Sequence, residues 1–383
     1  MPRTLVIDDD AAVEEMMTRN LGNITCGSRC EFVFARTDEE ALALLYDDSD
    51  LDIAMVAIDS DGVSGMSLFR ELEGKRRVRI PRIAVTRGED LALIRQAMSE
   101  GAVDFLVKPM SAEDLSSTLQ RVFQVTESRR KAWRTESHLA ALRREIDIAG
   151  DMQRRILPSH FPDSHSYDLH ARMNPARAMG GDFYDFFDVG GGRIGFVVAD
   201  VVGKGVPAAF FMAVVRTLVR ATAMNGAPPA FCLEQTNTLL CRHDIPGMLV
   251  SLFYGILDPR SWKLSFANGG HPPPFLVGSN GKVRAVDEGV GVILGVQEGL
   301  EYPESAHTLE PGETLFIYTD GLTEAFDASR EQFSEGRVCR FLAENSRLSA
   351  ADMVKDVMQR VELFTHGIDP SDDLTVLALR RKA

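Results

Sequence analysis

The chain has 383 residues, with 42 Lys and Arg against 56 Asp and Glu and a formal net charge of -14. That length predicts two or three domains. The acidic balance excludes nucleic acid or an anionic membrane surface as the main partner, because phosphate contacts need a basic face.

The first stretch alternates short apolar runs with helical patterns. Leu5 to Ile7, Phe32 to Ala35, Ile53 to Ile58, Ile83 to Val85 and Phe105 to Val107 read as strands. Helical patterns through Met16, Met17 and Leu21, and from Glu39 to Tyr46, lie between them. Fully apolar strands separated by helices predict a doubly wound, five-stranded parallel sheet ending near residue 125. Such sheets carry their functional residues just past the carboxyl ends of the strands. Those positions hold Asp8 and Asp9, Ala57 and Asp59, Thr86, and Lys108. Paired acids suit a hard divalent cation, and a hydroxyl and an ammonium nearby suit a phosphoryl group.

Residues 126–158 are rich in arginine. Leu139, Leu142, Ile146, Ala149 and Ile156 recur at spacings of three and four, with Gln153 filling one seam position. This predicts a linker helix with a coiled-coil-like stripe of about two and a half heptads, and through it a homodimer. An amphipathic helix packed on its own domain would read the same way. Leu157-Pro158 and Phe161-Pro162 end it.

From residue 165 the texture is β-rich with glycine turns. Strands are expected at 195–199, 249–257, 264–267, 315–318 and 374–379, and helices at 207–223, 230–242 and 350–364. Their irregular order predicts an α+β domain. No apolar run approaches the roughly 20 residues that span a bilayer, no secretory leader is legible at the start, and the chain is expected in the cytoplasm. Cys26, Cys30, Cys232, Cys241 and Cys339 read as small buried or loop thiols of a reducing compartment rather than a metal set.

Four acidic stations stand beside small residues in this second region: Gly180-Gly-Asp182-Phe-Tyr-Asp185, Ala199-Asp200-Val-Val-Gly203-Lys-Gly205, Thr319-Asp320-Gly321 and Asp372-Asp373. One such aspartate reads as a turn residue. Four in one domain, without companion His or Cys, favour Mg²⁺ or Mn²⁺. A pair of such ions about 3.5–4 Å apart can clamp an in-line displacement at phosphorus. His271, in a Gly-Gly-His-Pro turn, reads as a structural hydrogen-bond partner. Gly203 and Gly205 read as turn formers, since the P-loop spacing is missing. Phe183, Tyr184, Phe186 and Phe187 read as core.

Residues 3–124 resemble the response-regulator receiver family through Leu5-Val-Ile-Asp-Asp-Asp, Gly62-Val-Ser-Gly-Met, Ala84-Val-Thr and Gly101-Ala-Val-Asp-Phe-Leu-Val-Lys-Pro. The resemblance implies Asp8 and Asp9 as Mg²⁺ ligands, Thr86 and Phe105 as the switch pair, Lys108 as the phosphoryl partner, and a sensor kinase upstream. It puts Ala57 at the phosphoacceptor position. Alanine has no nucleophilic oxygen, so either the receiver is naturally divergent and signals by binding, or a working acceptor has been replaced. Asp59 is a weaker substitute acceptor.

Residues 145–380 resemble the PPM family of metal-dependent protein phosphatases, in its SpoIIE/RsbU branch. Glu145 to Pro158, Gly181-Asp-Phe-Tyr-Asp, Asp200-Val-Val-Gly-Lys-Gly-Val-Pro-Ala-Ala, Phe266-Ala-Asn-Gly-Gly-His-Pro, Tyr318-Thr-Asp-Gly-Leu-Thr-Glu and Asp372-Asp-Leu-Thr carry it. The resemblance implies a β-sandwich flanked by helices and two Mn²⁺ or Mg²⁺ ions. Asp182 and Asp200 would bridge them, assisted by the Val201 carbonyl, with Asp320 and Asp372 completing one shell and Asp373 supporting. It implies hydrolysis of phosphoserine or phosphothreonine on a protein, in this branch a phosphorylated anti-sigma-factor antagonist of the STAS type. The alternative is a non-catalytic adaptor that binds a sigma factor or its antagonist. The expected division is 1–125 receiver, 126–160 helical linker and 161–383 phosphatase.

Overall fold

The computed structural model describes residues 2–19, 30–47, 50–74, 80–242 and 247–383. Internal contacts divide the chain into Met1–Ala140 and Ala141–Ala383.

The first unit holds β1 (Arg3–Ile7), α1 (Ala11–Arg19), β2 (Glu31–Ala35), α2 (Asp38–Asp47), β3 (Ile53–Ala57), α3 (Gly65–Gly74), β4 (Arg82–Thr86), α4 (Leu91–Ser99) and β5 (Ala102–Val107). The five strands are all parallel, in the order β2-β1-β3-β4-β5. Two apolar layers cover the sheet. One gathers Leu5, Ile7, Val56, Leu68 and Phe69, the other Val6, Met17, Met55, Leu115 and Leu119. Alternate residues of β1 and β3 serve opposite layers, as strand geometry requires. This is why the central strands read as unbroken apolar runs. Cys30 is disulfide-bonded, which corrects the reading of all five cysteines as thiols. Cys26, and the part of the first helical pattern beyond Arg19, lie outside the described residues.

Helix α5 (Ala112–Ile156) is a single 45-residue helix. It therefore starts well before residue 126, where the linker was expected. Along it Leu139, Leu142, Ile146 and Ile156 are at least 40% exposed, whereas Gln153 is buried at 6% exposure. The seam position read as a filler is the one that goes inside.

The second unit continues with β6 (Tyr167–Asn174), β7 (Phe183–Asp188), β8 (Ile194–Val201), α6 (Val206–Ala223), α7 (Pro229–Arg242), β9 (Val250–Asp258) and β10 (Lys263–Gly269). Then come β11 (Phe275–Val277), β12 (Val283–Ala285), β13 (Val290–Gly291), β14 (Glu304–Thr308), β15 (Thr314–Tyr318), α8 (Asp320–Thr323), α9 (Ser334–Glu344), α10 (Ala350–Thr365) and β16 (Leu374–Arg381). One sheet runs β13-β10-β9-β8-β7, with β14 also on β10; the other runs β12-β11-β15-β16-β6. Their inner faces share one core, Val198, Phe253, Leu257 and Phe266 meeting Leu169, Ile317, Leu377 and Leu379. Helices α9 and α10 cover the outer face of the second sheet through Phe341, Val354 and Val357. The layers are those of an α+β sandwich.

By length and composition α6 would be long and apolar enough to cross a membrane, which corrects the expectation of no such run. Its Phe211, Met212, Val215 and Val219 are instead buried in the sandwich core. Arg216 and Arg220, on the same helix, pair with buried Asp185 of β7.

Candidate active site

In the first unit the carboxyl ends of β1, β3, β4 and β5 bring together the residues read from the sequence. Lys108 Nζ lies 2.6 Å from Asp8 Oδ2 and donates to Asp8 Oδ1 at 2.8 Å. The Lys108–Pro109 bond is cis. Asp9 accepts the Ser60 hydroxyl and, at 2.8 Å, the Gly62 N–H. The Ser60 bond is the main reason its carboxyl sits below the ordinary range. Ala57 closes β3, 1% exposed. Asp59 lies beyond the strand, and its Oδ2 accepts the Thr86 hydroxyl at 2.8 Å and the Arg87 N–H at 2.5 Å. Phe105 on β5 is 41% exposed. The strand ends thus hold a set of polar partnerships around the methyl group of Ala57.

In the second unit the four acidic stations converge. Asp182 immediately precedes β7, Asp200 is the penultimate residue of β8, Asp320 opens α8 after β15, and Asp372 and Asp373 precede β16. Glycine makes the approach between these segments feasible. A Cβ on Gly321 would stand 1.9 Å from the Asp373 carbonyl oxygen, and one on Gly181 would stand 2.8 Å from the Val201 carbonyl oxygen. Gly203 and Gly205 flank Lys204 at φ of 109° and 75°, a region other residues rarely adopt.

Asp182 is 1% exposed. Burial, then the neighbouring charges of Asp200 and Asp373, push its carboxyl well above the usual range, and the Thr319 hydroxyl, donating at 2.7 Å, opposes this. Asp200 is pushed up to about 6, by burial first and then by Asp320, while a hydrogen bond shared with Asp182 holds it back. Burial and then Asp372 raise Asp320 as well. Lys204 Nζ, 2.8 Å from Asp372 Oδ2, is the cation at this cluster. Asp373 faces the other way: its carboxylate accepts from Ala176 N at 2.8 Å, Gly181 N at 2.6 Å and Asp182 N at 3.4 Å.

Among the described residues no three Asp, Glu, His or Cys side chains stand in ready-made coordination of one ion. The donor set nevertheless fits hard divalent cations. The buried carboxyl of Asp182 and the half-buried one of Asp200 concentrate negative charge in one place, and Asp320, Asp372 and Asp373 add to it. Like charges so placed are relieved either by protons or by a cation, and all the donors are oxygens, as Mg²⁺ and Mn²⁺ prefer.

His271 is 2% exposed; its Nδ1 lies 2.8 Å from Ser251 Oγ, and its backbone is bracketed by the Asn268 side chain. Phe183, Tyr184 and Phe186 are buried, as core residues would be. A cleft of about 890 Å³ opens beside Asp372 and Gly321, lined by Arg172, Asn174, Arg330, Met358 and Ile368 among others. Sequence reasoning did not find this cleft, whose walls come from β6, α10 and the turns between them. Nor did it find the Asp185 ion pairs, which join residues more than thirty apart.

The family model of SpoIIE, the stage II sporulation protein E, matches residues 190–382, and that of the response regulator receiver domain matches residues 4–120. The first match includes Asp200, Asp320 and Asp372 and begins after Asp182. Protein IcfG of Synechocystis is 30% identical over 269 residues, covering 62% of this chain but only 42% of IcfG. Phosphoserine phosphatase RsbU of Bacillus subtilis is 27% identical over 279 residues, covering 72% of this chain and 82% of RsbU. Among solved structures, the SiaA-PP2C domain of Pseudomonas aeruginosa superposes with a TM-score of 0.57 at 22% identity, over 63% of this chain and 98% of that domain. At those identities the structural likeness speaks to the fold.

Proposed function

This chain belongs to the SpoIIE family of PPM-type phosphatases and carries a response-regulator receiver domain at its N-terminal end, and from that premise we propose that it is a two-metal protein serine/threonine phosphatase under receiver control. The observation that carries the reading is the meeting of Asp182 and Asp200. Asp182 is buried, Asp200 stands half-buried beside it, and Asp320 and Asp372 flank the pair, with Asp373 bracing the backbone that carries Asp182. Asp182 and Asp200 would bridge two Mn²⁺ or Mg²⁺ ions with the Val201 carbonyl, and Asp320 and Asp372 would complete one shell. Such ions supply Lewis acidity, activating water at neutral pH and neutralising phosphoryl charge.

The chain's own residues supply the rest. The buried threonine hydroxyl of Thr319 orients Asp182, and Asp373 fixes the backbone that carries it. The cleft beside Asp372 offers room for the segment of a phosphoprotein that carries the phosphoserine or phosphothreonine. The naming of RsbU as a phosphoserine phosphatase supports a phosphoserine-bearing protein as substrate, and the resemblance of residues 145–380 to the SpoIIE/RsbU branch makes the proposed one a phosphorylated anti-sigma-factor antagonist. The proposed division is 1–125 receiver, 126–160 connecting helix and 161–383 phosphatase, with Mg²⁺ at Asp8 and Asp9, Thr86, Phe105 and Lys108 as the receiver's switch set, and dimerisation through the exposed stripe of α5.

Phosphate release from a phosphoserine peptide tests the reading, with and without Mn²⁺, for the wild type and Asp200→Ala. Mn²⁺-dependent release that the substitution abolishes is expected. Release that persists in Asp200→Ala, or none from peptide or STAS-type phosphoprotein, refutes it.

A further inference from the structure

Gln153 spends its whole side-chain amide on one glycine. Its Nε2 donates to the Gly180 carbonyl at 2.6 Å, and the Gly180 N–H donates to its Oε1 at 3.1 Å. Two antiparallel bonds to a single residue fix both the distance and the tilt of that backbone unit. Only one orientation of the amide satisfies both, since the N–H must meet oxygen and the carbonyl must meet NH₂. One turn earlier on α5, a Cβ on Gly150 would stand 2.2 Å from the Ala178 carbonyl oxygen, so helix backbone and loop backbone touch there. Leu157, just past the helix, is anchored in the sandwich core.

The loop is gripped equally closely from its other side. A Cβ on Gly180 would come within 2.4 Å of Asp373 Oδ2, and the next N–H, of Gly181, donates to that oxygen at 2.6 Å. Residues 178–181 therefore lie between α5 and Asp373, and the chain leaves this grip directly into Asp182. We propose that Gln153 is a positioning residue for the metal centre, setting the place of the Asp182 carboxylate through Gly180. The inference rests on the two-metal reading above and extends it to a residue of the connecting helix. Without the amide, both polar groups of Gly180 are left buried and unpartnered, and the loop that ends in Asp182 loses one of its two supports.

The test is Mn²⁺ binding to the full chain by isothermal titration calorimetry, without substrate. Outer partners of metal ligands typically govern metal affinity by 10–100-fold. Q153A is expected to weaken Mn²⁺ binding by roughly tenfold or more on that scale. Q153E keeps the acceptor for Gly180 N–H but has no donor for the carbonyl when ionised, and is expected to fall between. It also serves if Q153A does not fold. Met152→Ala, on the exposed face beside it, is expected to bind as the wild type does. A merely structural role would lower the melting temperature of Q153E while leaving its Mn²⁺ affinity within about twofold of wild type, and that result overturns the inference alone. A wild type that takes up no Mn²⁺ overturns the two-metal reading itself.

Discussion

The hydroxyl of Thr86 is bound to Asp59, not to any group on the residue that ends β3. Asp59 Oδ2 lies 2.8 Å from Thr86 Oγ1 and 2.5 Å from Arg87 N, while Ala57 presents a methyl group at the strand end. Lys108 is meanwhile committed to Asp8. Thr86 and Lys108 are thus each bonded to an acid of the fold, and Ala57, ending β3, brings no carboxylate.

The full chain incubated with acetyl phosphate and Mg²⁺ is accordingly expected to gain no receiver phosphoryl group by intact-mass measurement. Ala57→Asp supplies a carboxylate at the end of β3 and is expected to gain one. Incorporation mapped to Asp59 in the wild type would contradict the fixed role given to that carboxylate.

A second expectation concerns Asp185. Its fully buried carboxylate accepts from Arg220 Nε at 2.6 Å and Nη2 at 2.8 Å, and Arg216 Nε lies 2.9 Å away. Removing one partner of a buried ion pair strands the other charge and costs about 3–5 kcal/mol. Arg220 is partly exposed and sheds part of that burden to solvent, so Asp185→Ala is expected near the lower figure. Calorimetric scanning should show the loss in the transition of the second unit, with the receiver transition unmoved.

Metal uptake should depend on pH through Asp200. Its carboxyl is raised to about 6, so below that pH it holds a proton that a cation must displace. Mn²⁺ affinity is expected to be nearly flat above about pH 7 and to fall at least about tenfold per unit below about pH 6. Titration calorimetry across that range checks it. An affinity that stays flat down to about pH 5 would remove Asp200 from the metal shell.

The buried imidazole of His271 bears on stability with a definite sign. Burial lowers its pKa from 6.5 to about 3. Between those values the unfolded chain takes up a proton that the folded chain refuses, so this group destabilises the fold as pH drops below 6.5. At about pH 5 the loss is about 2 kcal/mol relative to pH 7. Raised carboxyls such as Asp200 act in the opposite direction in the metal-free protein, so the comparison is between variants. His271→Gln should show a smaller drop in melting temperature between pH 7 and pH 5 than the wild type; an equal or larger drop would refute the assignment.

Much of this architecture was legible in the residue order because the receiver's strands are buried on both faces. Leu5 to Ile7 and Ile53 to Ala57 needed no partner to be recognised. The strand β6 was not read. Its inward Tyr167, Leu169 and Ala171 alternate with Asp168, His170 and Arg172, a period-two pattern that a search for continuous apolar runs passes over. Helix α9 was missed despite Val338, Phe341 and Leu342 at helical spacing, because Ser334, Glu335 and Gly336 give it a weak start. The four acidic stations were found, since each stands beside small residues. The three N–H groups on Asp373 depend on pairings across 191 to 197 positions, which no local pattern carries. Gln153 was noticed for the wrong reason: a polar residue in an apolar stripe looks like a flaw until its glycine is in place.

Those long separations also order events in time. Asp373 and β16, which lies between β15 and β6, come almost two hundred positions after the loop they brace. A nascent chain on the ribosome therefore makes the whole receiver, the long helix and most of the sandwich before the support behind Asp182 exists. The brace behind the Asp182 loop arrives late, as β16 slots between two strands made before it.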